Sequence, residues 1–102
     1  MLTGVWNSDV GGKYYIHQLG DIVWWYGEGA PTQPGWAHVA HGKIGGNRIA
    51  LEWADIPKGD AHYNGILVVE ISADERTLRA LYKFPPGFST SIWTKESDPW
   101  NL

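Results

Sequence analysis

Along most of this chain, apolar residues alternate with polar ones or form short β-branched and aromatic runs. Gly, Pro, Asn or Asp interrupt these runs at intervals of about 8 to 12 residues, which is typical of β-sandwiches and β-barrels. A helical period is almost absent, so we predict an all-β protein with little or no helix. The predicted strands are Gly4–Asn7, Lys13–Leu19, Ile22–Gly27, Ala37–Gly45, Arg48–Ala54, Gly65–Ser72, Thr77–Lys83 and Ser91–Lys95.

The connections between these strands alternate in kind. Gly20-Asp21 and Gly46-Asn47 are two-residue hairpin turns, in which glycine supplies the positive φ that such turns require. Alternate connections of an up-and-down sheet lie at opposite ends, so the long ones gather at one mouth. These predicted mouth loops are Ser8–Gly12, Glu28–Trp36, Ile56–Asn64 and Phe84–Thr90. Closure of the sheet removes unpaired edges, and we predict a single eight-stranded antiparallel barrel over residues 1–95 with a C-terminal tail over 96–102.

The turn at Gly46-Asn47 specifies the register of its hairpin. Counting outward places these pairs on the inner face: Ile44 with Ile49, Gly42 with Leu51, Ala40 with Trp53, and His38 with Asp55. The outer face then carries Lys43 with Ala50 and His41 with Glu52. A slip of one residue would bury Lys43 and Glu52, so this register is strongly preferred.

Parity along the other strands predicts which aromatic residues face inward. In the first hairpin either face fits the alternation, so the pattern does not decide which of Trp24 and Trp25 lies inside; we favour the face with Tyr14 and Trp25, which leaves Trp24 on the outer face. On the seventh strand the same count turns Leu78, Ala80 and Tyr82 inward. An interior this rich in large side chains predicts a shallow mouth cavity and a filled barrel below it.

Composition narrows the possible partners. The chain has 102 residues, a net charge of -3, no cysteine and seven tryptophans. One domain fits this length, the charge offers no basic surface for nucleic acid or anionic membranes, and the lack of cysteine excludes thiol and disulfide chemistry. No apolar run approaches the roughly 20 residues of a spanning helix, and no signal peptide is recognisable, which predicts a soluble protein, cytoplasmic or secreted after processing.

The N-terminal segment carries a family resemblance. Leu2-Thr3-Gly4-Val5-Trp6, followed by Asp9, Gly11 and Ile16, resembles the opening of avidin and streptavidin-type barrels. More loosely it is similar to the lipocalins, which form the calycin group with the avidins. The resemblance implies that Trp6 plugs the closed end and that Lys95 packs across it. Biotin is not implied, because one of the two polar positions expected to contact it falls at Gly12, which has no hydroxyl.

The mouth is the predicted binding site for a small molecule or saccharide, with no cofactor and no metal. Its predicted ligand-binding residues are Tyr14, Trp25, Trp36, His38, Trp53, Asp55, Tyr82 and Phe88. Aromatic walls with a few convergent polar groups are the usual composition of ligand pockets. If the protein is instead a hydratase- or isomerase-type enzyme, His38 and Asp55 are the candidates, because a facing carboxylate orients an imidazole and raises its pKa. His38 and His41 point to opposite faces of one strand and cannot chelate one ion.

The outer aromatic residues lead to a further expectation. Trp24, with Tyr15, His17 and Tyr26 beside it, forms an exposed patch that needs a partner. We expect a homo-oligomer to cover it, which the avidin-like resemblance also implies, and the tail to add to that contact. The alternatives are a carbohydrate-binding module that stacks sugar rings on this patch and a purely structural domain without a ligand.

Overall fold

The computed structural model describes residues 1–99, and they form a closed antiparallel barrel in which each strand pairs with its neighbours in sequence and β1 pairs with β8. The predicted fold class is confirmed. The strands are β1 (Gly4–Ser8), β2 (Lys13–Leu19), β3 (Ile22–Glu28), β4 (Ala37–Gly45), β5 (Arg48–Asp55), β6 (Asn64–Ile71), β7 (Thr77–Phe84) and β8 (Ile92–Ser97). These bounds differ from the predicted ones by at most two residues.

The long connections share one end of the barrel, as the alternation of turns predicts. At the other end, the hairpin turns contain Gly20 and Gly46, each with a φ of 62°. The predicted tail begins inside β8, whose last residue is Ser97, and its residues 100–102 lie outside the described part of the chain. Residues 1–99 contain no helix with the length and apolar character that a bilayer span requires.

The predicted register of β4 and β5 is confirmed throughout. The structure pairs Ile44 with Ile49, Ala40 with Trp53 and His38 with Asp55. Trp25 is buried while Trp24 is 52% exposed, so the choice of inner face in the first hairpin is also confirmed. Large side chains from all strands fill the interior, as the parity of apolar positions requires.

The inward placement of Tyr82 was wrong. The register of β6 and β7 shifts between Val68 and Val69, since Val69 faces Ala80 and Val68 faces Tyr82. Leu81 is therefore an extra residue on β7, and such a β-bulge reverses the parity of every residue beyond it. As a result, Tyr82 lies on the outer face and is 53% exposed.

The closed end contains the two residues that the resemblance assigned to it. Trp6 has no exposed surface, and its Nε1 donates to the carbonyl oxygen of Leu2 at 2.8 Å. Lys95 faces Trp6 across β1 and β8, and its Nζ donates to the carbonyl oxygen of Met1 at 2.8 Å and pairs with Asp98 Oδ1 at 2.5 Å. The N-terminal segment thus covers the end of the barrel opposite the long loops.

Candidate functional site

A cavity of about 490 Å³ opens among the long loops. This volume lies within the range of small-molecule sites, roughly 300 to 1,000 Å³. The cavity is lined by Tyr14, Trp36, His38, Trp53, Asp55, Ala61, Tyr63, Pro85, Gly87, Phe88, Ser89 and Thr90. Its walls are mainly aromatic rings, and its polar groups come from both the strands and the loops.

Trp36, at the end of the β3–β4 loop, is held by three glycines on three different segments. A Cβ on Gly12 would lie 2.8 Å from the indole ring, one on Gly29 would lie 2.8 Å from the indole Nε1, and one on Gly59 would lie 2.6 Å from the Trp36 Cα. Any larger residue at these positions collides with the ring or its backbone, so glycine is what lets the loops approach this closely. The indole is thereby placed against the imidazole of His38, with ring centroids 5.2 Å apart.

An ion pair joins the barrel to the β5–β6 loop. Lys58 Nζ lies 2.6 Å from the Glu28 carboxylate, which also accepts a hydrogen bond from the Tyr26 hydroxyl at 2.9 Å. The hydrogen bond from Lys58 lowers the pKa of Glu28. The backbone amides of Asp60 and Ala61 donate to the carbonyl oxygen of Gly35, which ties this loop to the β3–β4 loop. Loops held in this way lose less conformational entropy when a ligand docks.

His38 lies at the floor of the cavity and is only 2% exposed. Five aromatic rings surround its imidazole, those of Tyr14, Trp25, Trp36, Trp53 and Phe88. Burial lowers the pKa of His38 to about 4, so the imidazole is neutral at pH 7.

The expectation that Asp55 raises the pKa of His38 is therefore wrong. The two residues are opposed in the ladder as predicted, but the imidazole Nε2 accepts a hydrogen bond from Trp25 Nε1 at 3.0 Å. The Asp55 carboxylate instead accepts the backbone N–H of Tyr63 at 2.9 Å. Desolvation by the aromatic rings lowers the pKa of His38, and no hydrogen bond or ion pair within residues 1–99 joins the carboxylate to the imidazole.

The hydrogen bond from Trp25 determines the tautomer of His38. A neutral imidazole whose Nε2 accepts a hydrogen bond carries its proton on Nδ1. Within residues 1–99, the enclosed polar side-chain atoms that lack a partner are Trp93 Nε1 and Ser97 Oγ. Nδ1 is not among them and makes no hydrogen bond to the described residues, so its N–H is available to the cavity.

A second polar group, the Tyr14 hydroxyl, lies next to the β7–β8 loop. It is 3.4 Å from Thr90 Oγ1, which donates to Ser8 Oγ at 3.2 Å. Burial, together with the smaller effect of the negative charges on Asp9 and Asp55, raises the pKa of Tyr14 to about 12. The hydroxyl is therefore neutral and can donate to or accept from a ligand.

The structure brings most of the predicted site together. Tyr14, Trp36, His38, Trp53, Asp55 and Phe88 line the cavity. Trp25 is not a lining residue, but its indole N–H donates a hydrogen bond to His38. Tyr82 lies on the outer face because of the bulge at Leu81. Six lining residues on the loops were not predicted: Ala61, Tyr63, Pro85, Gly87, Ser89 and Thr90. The sequence places their loops at the mouth, but a loop has no regular alternation that shows which of its side chains point into the cavity.

The remaining histidines do not join this site. His41 is on the outer face, 3.5 Å from Glu52, and His62 is exposed on its loop outside the cavity lining. Among residues 1–99, no group of three or more His, Asp and Glu side chains is arranged to hold a metal ion.

Comparisons of the chain with protein-family models, with curated proteins and with solved structures returned no match. The eight-stranded antiparallel barrel is compatible with a calycin-like fold, and the narrower avidin-like likeness remains a prediction.

Proposed function

We propose that the protein is a non-catalytic β-barrel that binds a small molecule in the cavity at its mouth. The observation that carries this proposal is a neutral imidazole at the floor of an aromatic cavity, with one N–H that makes no hydrogen bond to residues 1–99. Because this N–H opens to the cavity, a ligand acceptor atom placed on His38 Nδ1 can accept a hydrogen bond from it, and that bond orients the ligand. The aromatic walls supply affinity, at about 25 cal/mol for each Å² of apolar surface removed from water.

Trp36 offers the clearest test of this proposal. We expect a screen of small metabolites, followed by intrinsic tryptophan fluorescence and native mass spectrometry, to find a ligand whose affinity drops about tenfold or more in Trp36→Ala. Loss of one stacked aromatic wall removes apolar contact and the packing on His38. Trp24→Ala is the matched control, because that indole lies outside the barrel and should leave affinity unchanged. A ligand that binds equally well to Trp36→Ala and Phe88→Ala would place the site elsewhere.

We further propose that the outer aromatic patch is covered by another copy of this chain. Trp24 stacks on His41 with centroids 5.4 Å apart, and Tyr15 stacks on Tyr26 at 6.3 Å. Val39 beside them is also exposed, so the patch is a continuous apolar area on adjacent strands. A homo-oligomer is also what the avidin-like resemblance implies.

The oligomer can be tested by a charge placed in this patch. We expect sedimentation velocity to give a dimer or larger assembly for the wild type and a monomer for Trp24→Glu, because a buried unpaired carboxylate opposes association. Glu52→Gln serves as the control at the edge of the patch. A monomeric wild type whose Trp24 fluorescence changes with oligosaccharides would instead support the carbohydrate-binding alternative.

A further inference from the structure

The charge that lines the mouth cavity is of one sign, negative. Among the described residues that line it, Asp55 is the only carboxylate, none is a lysine or an arginine, and the one imidazole, His38, is neutral at pH 7. Asp55 Oδ2 accepts the N–H of Tyr63, and no hydrogen bond from residues 1–99 reaches its Oδ1. One carboxylate oxygen at the rim is therefore free to accept from a ligand.

Three lysines at the loop end of the barrel do not neutralise this charge. Lys13 pairs with Glu96, Lys58 pairs with Glu28 at 2.6 Å, and Lys83 donates to Ser91 Oγ at 3.0 Å. None of these side chains lines the cavity. A ligand anion would consequently meet a carboxylate and no cation.

The walls favour positive charge as well. Trp53 and Phe88 lie edge to face with their centroids 5.0 Å apart, and the aromatic lining also includes Tyr14, Trp36 and Tyr63. The faces of such rings carry negative electrostatic potential and attract organic cations.

The negative potential extends to the floor. Asp9, on the β1–β2 loop, and Asp55, at the end of β5, both raise the pKa of the Tyr14 hydroxyl, because both disfavour its ionisation. The negative potential of two carboxylates on opposite sides of the mouth therefore reaches the Tyr14 hydroxyl inside the cavity. The same negative potential that disfavours an anion there favours a cation in the cavity.

We propose that the ligand of this cavity is a small organic ammonium ion, whose charged group pairs with Asp55 Oδ1 and whose apolar body lies against the aromatic walls. This inference rests on the proposed binding function and adds the charge of the ligand. An uncharged or acceptor-bearing part of the same molecule reaches the N–H of His38.

Three probes that share a phenyl body and differ in charge test the proposal. They are 2-phenylethylammonium, 2-phenylethanol and 3-phenylpropanoate, titrated by calorimetry into the full-length protein at pH 7 and low ionic strength. We expect the cation to bind at least tenfold more tightly than the anion, with the alcohol between them. Raising the salt concentration to about 0.5 M should reduce this difference, because it screens the partly exposed carboxylate.

Asp55→Asn tests whether the Asp55 carboxylate is responsible for the preference for a cation. The amide oxygen can still accept the N–H of Tyr63, so the loop keeps its hydrogen bond while the charge is lost. We expect the affinities of this variant for the cation and the anion to differ by less than threefold, and its affinity for the alcohol to be unchanged. Asp60→Asn removes the same charge from an exposed position on the same loop, outside the cavity lining, and should preserve the preference.

The outcomes separate the two proposals. If the alcohol binds and the cation has no advantage over the anion, the charge inference is wrong while the binding site stands. If Asp60→Asn abolishes the preference as fully as Asp55→Asn, the net charge of the protein is responsible and the inference is also wrong. If no probe binds and Trp36→Ala alters no ligand in the metabolite screen, both proposals fail.

Discussion

Replacement of Gly42 by alanine is expected to lower the free energy of unfolding by about 3 kcal/mol, the upper part of the range for overpacked cores. Gly42 lies in β4 opposite Leu51, and a Cβ at this position would be 1.9 Å from the carbonyl oxygen of Ala50. That oxygen belongs to the backbone of β5, so relief requires the two strands to separate. For a domain of this size the change corresponds to a fall in Tm of about 15 °C, measured by thermal and urea unfolding.

Gly45→Ala is the matched control for this effect. Gly45 belongs to the same strand, and a Cβ there would meet no atom within 4 Å. The control should change the stability by less than about 0.5 kcal/mol, as surface substitutions usually do. If the two variants are equally stable, the close approach of β4 and β5 at Gly42 is incorrect.

Acidification from pH 7 to pH 4 is expected to remove about 3 kcal/mol of stability through His38 alone. The pKa of this imidazole is about 4 in the folded protein and 6.5 as the ordinary value. Between these values the unfolded chain binds a proton that the folded chain excludes, so the stability from His38 is complete above pH 6.5 and declines as the pH falls to about 4. The cause is the aromatic enclosure of the ring, which would have to hold a charge without water.

His38→Gln isolates this contribution, because its amide oxygen can still accept the Trp25 N–H. We expect the variant to be less stable than the wild type at pH 7 and the gap to narrow by about 3 kcal/mol at pH 4, measured by urea unfolding. The acid-sensitive carboxylates, such as Glu28, are present in both proteins and cancel in the difference.

His62→Gln provides the control, because it removes an imidazole from an exposed loop position outside the cavity and its aromatic enclosure. An NMR titration of the wild type gives an independent check even if His38→Gln does not fold. An imidazole signal of His38 that titrates near pH 6.5 would contradict the predicted loss.

Most of the barrel could be predicted because the features that specify it involve residues close together in the sequence. The two-residue turn at Gly46-Asn47 and the polar residues Lys43 and Glu52 define the register of their hairpin, and the structure reproduces it. Alternation in β7 failed at Leu81, where a bulge adds one residue that alternation cannot reveal. Tyr82 was misplaced for this reason alone.

The site was predictable to the extent that its residues lie on regular strands. Tyr14, His38, Trp53 and Asp55 follow from strand parity, and all four line the cavity. The loop residues do not, because loops have no period that assigns their side chains to one side. The protonation state of His38 could not be predicted from the sequence either. It depends on the rings of Trp36 and Phe88, which two separate loops place against the imidazole.

The sequence by itself determined the number of strands, their order, the inner face of the β4–β5 hairpin and the end of the barrel where the long loops meet. These features follow from side-chain alternation and from turns that glycine permits, both of which act over a few residues. Only the tertiary structure decided that Trp25, not Asp55, is the partner of His38, and that the imidazole is neutral. Desolvation depends on every group packed around an atom, and those groups come from segments far apart in the chain.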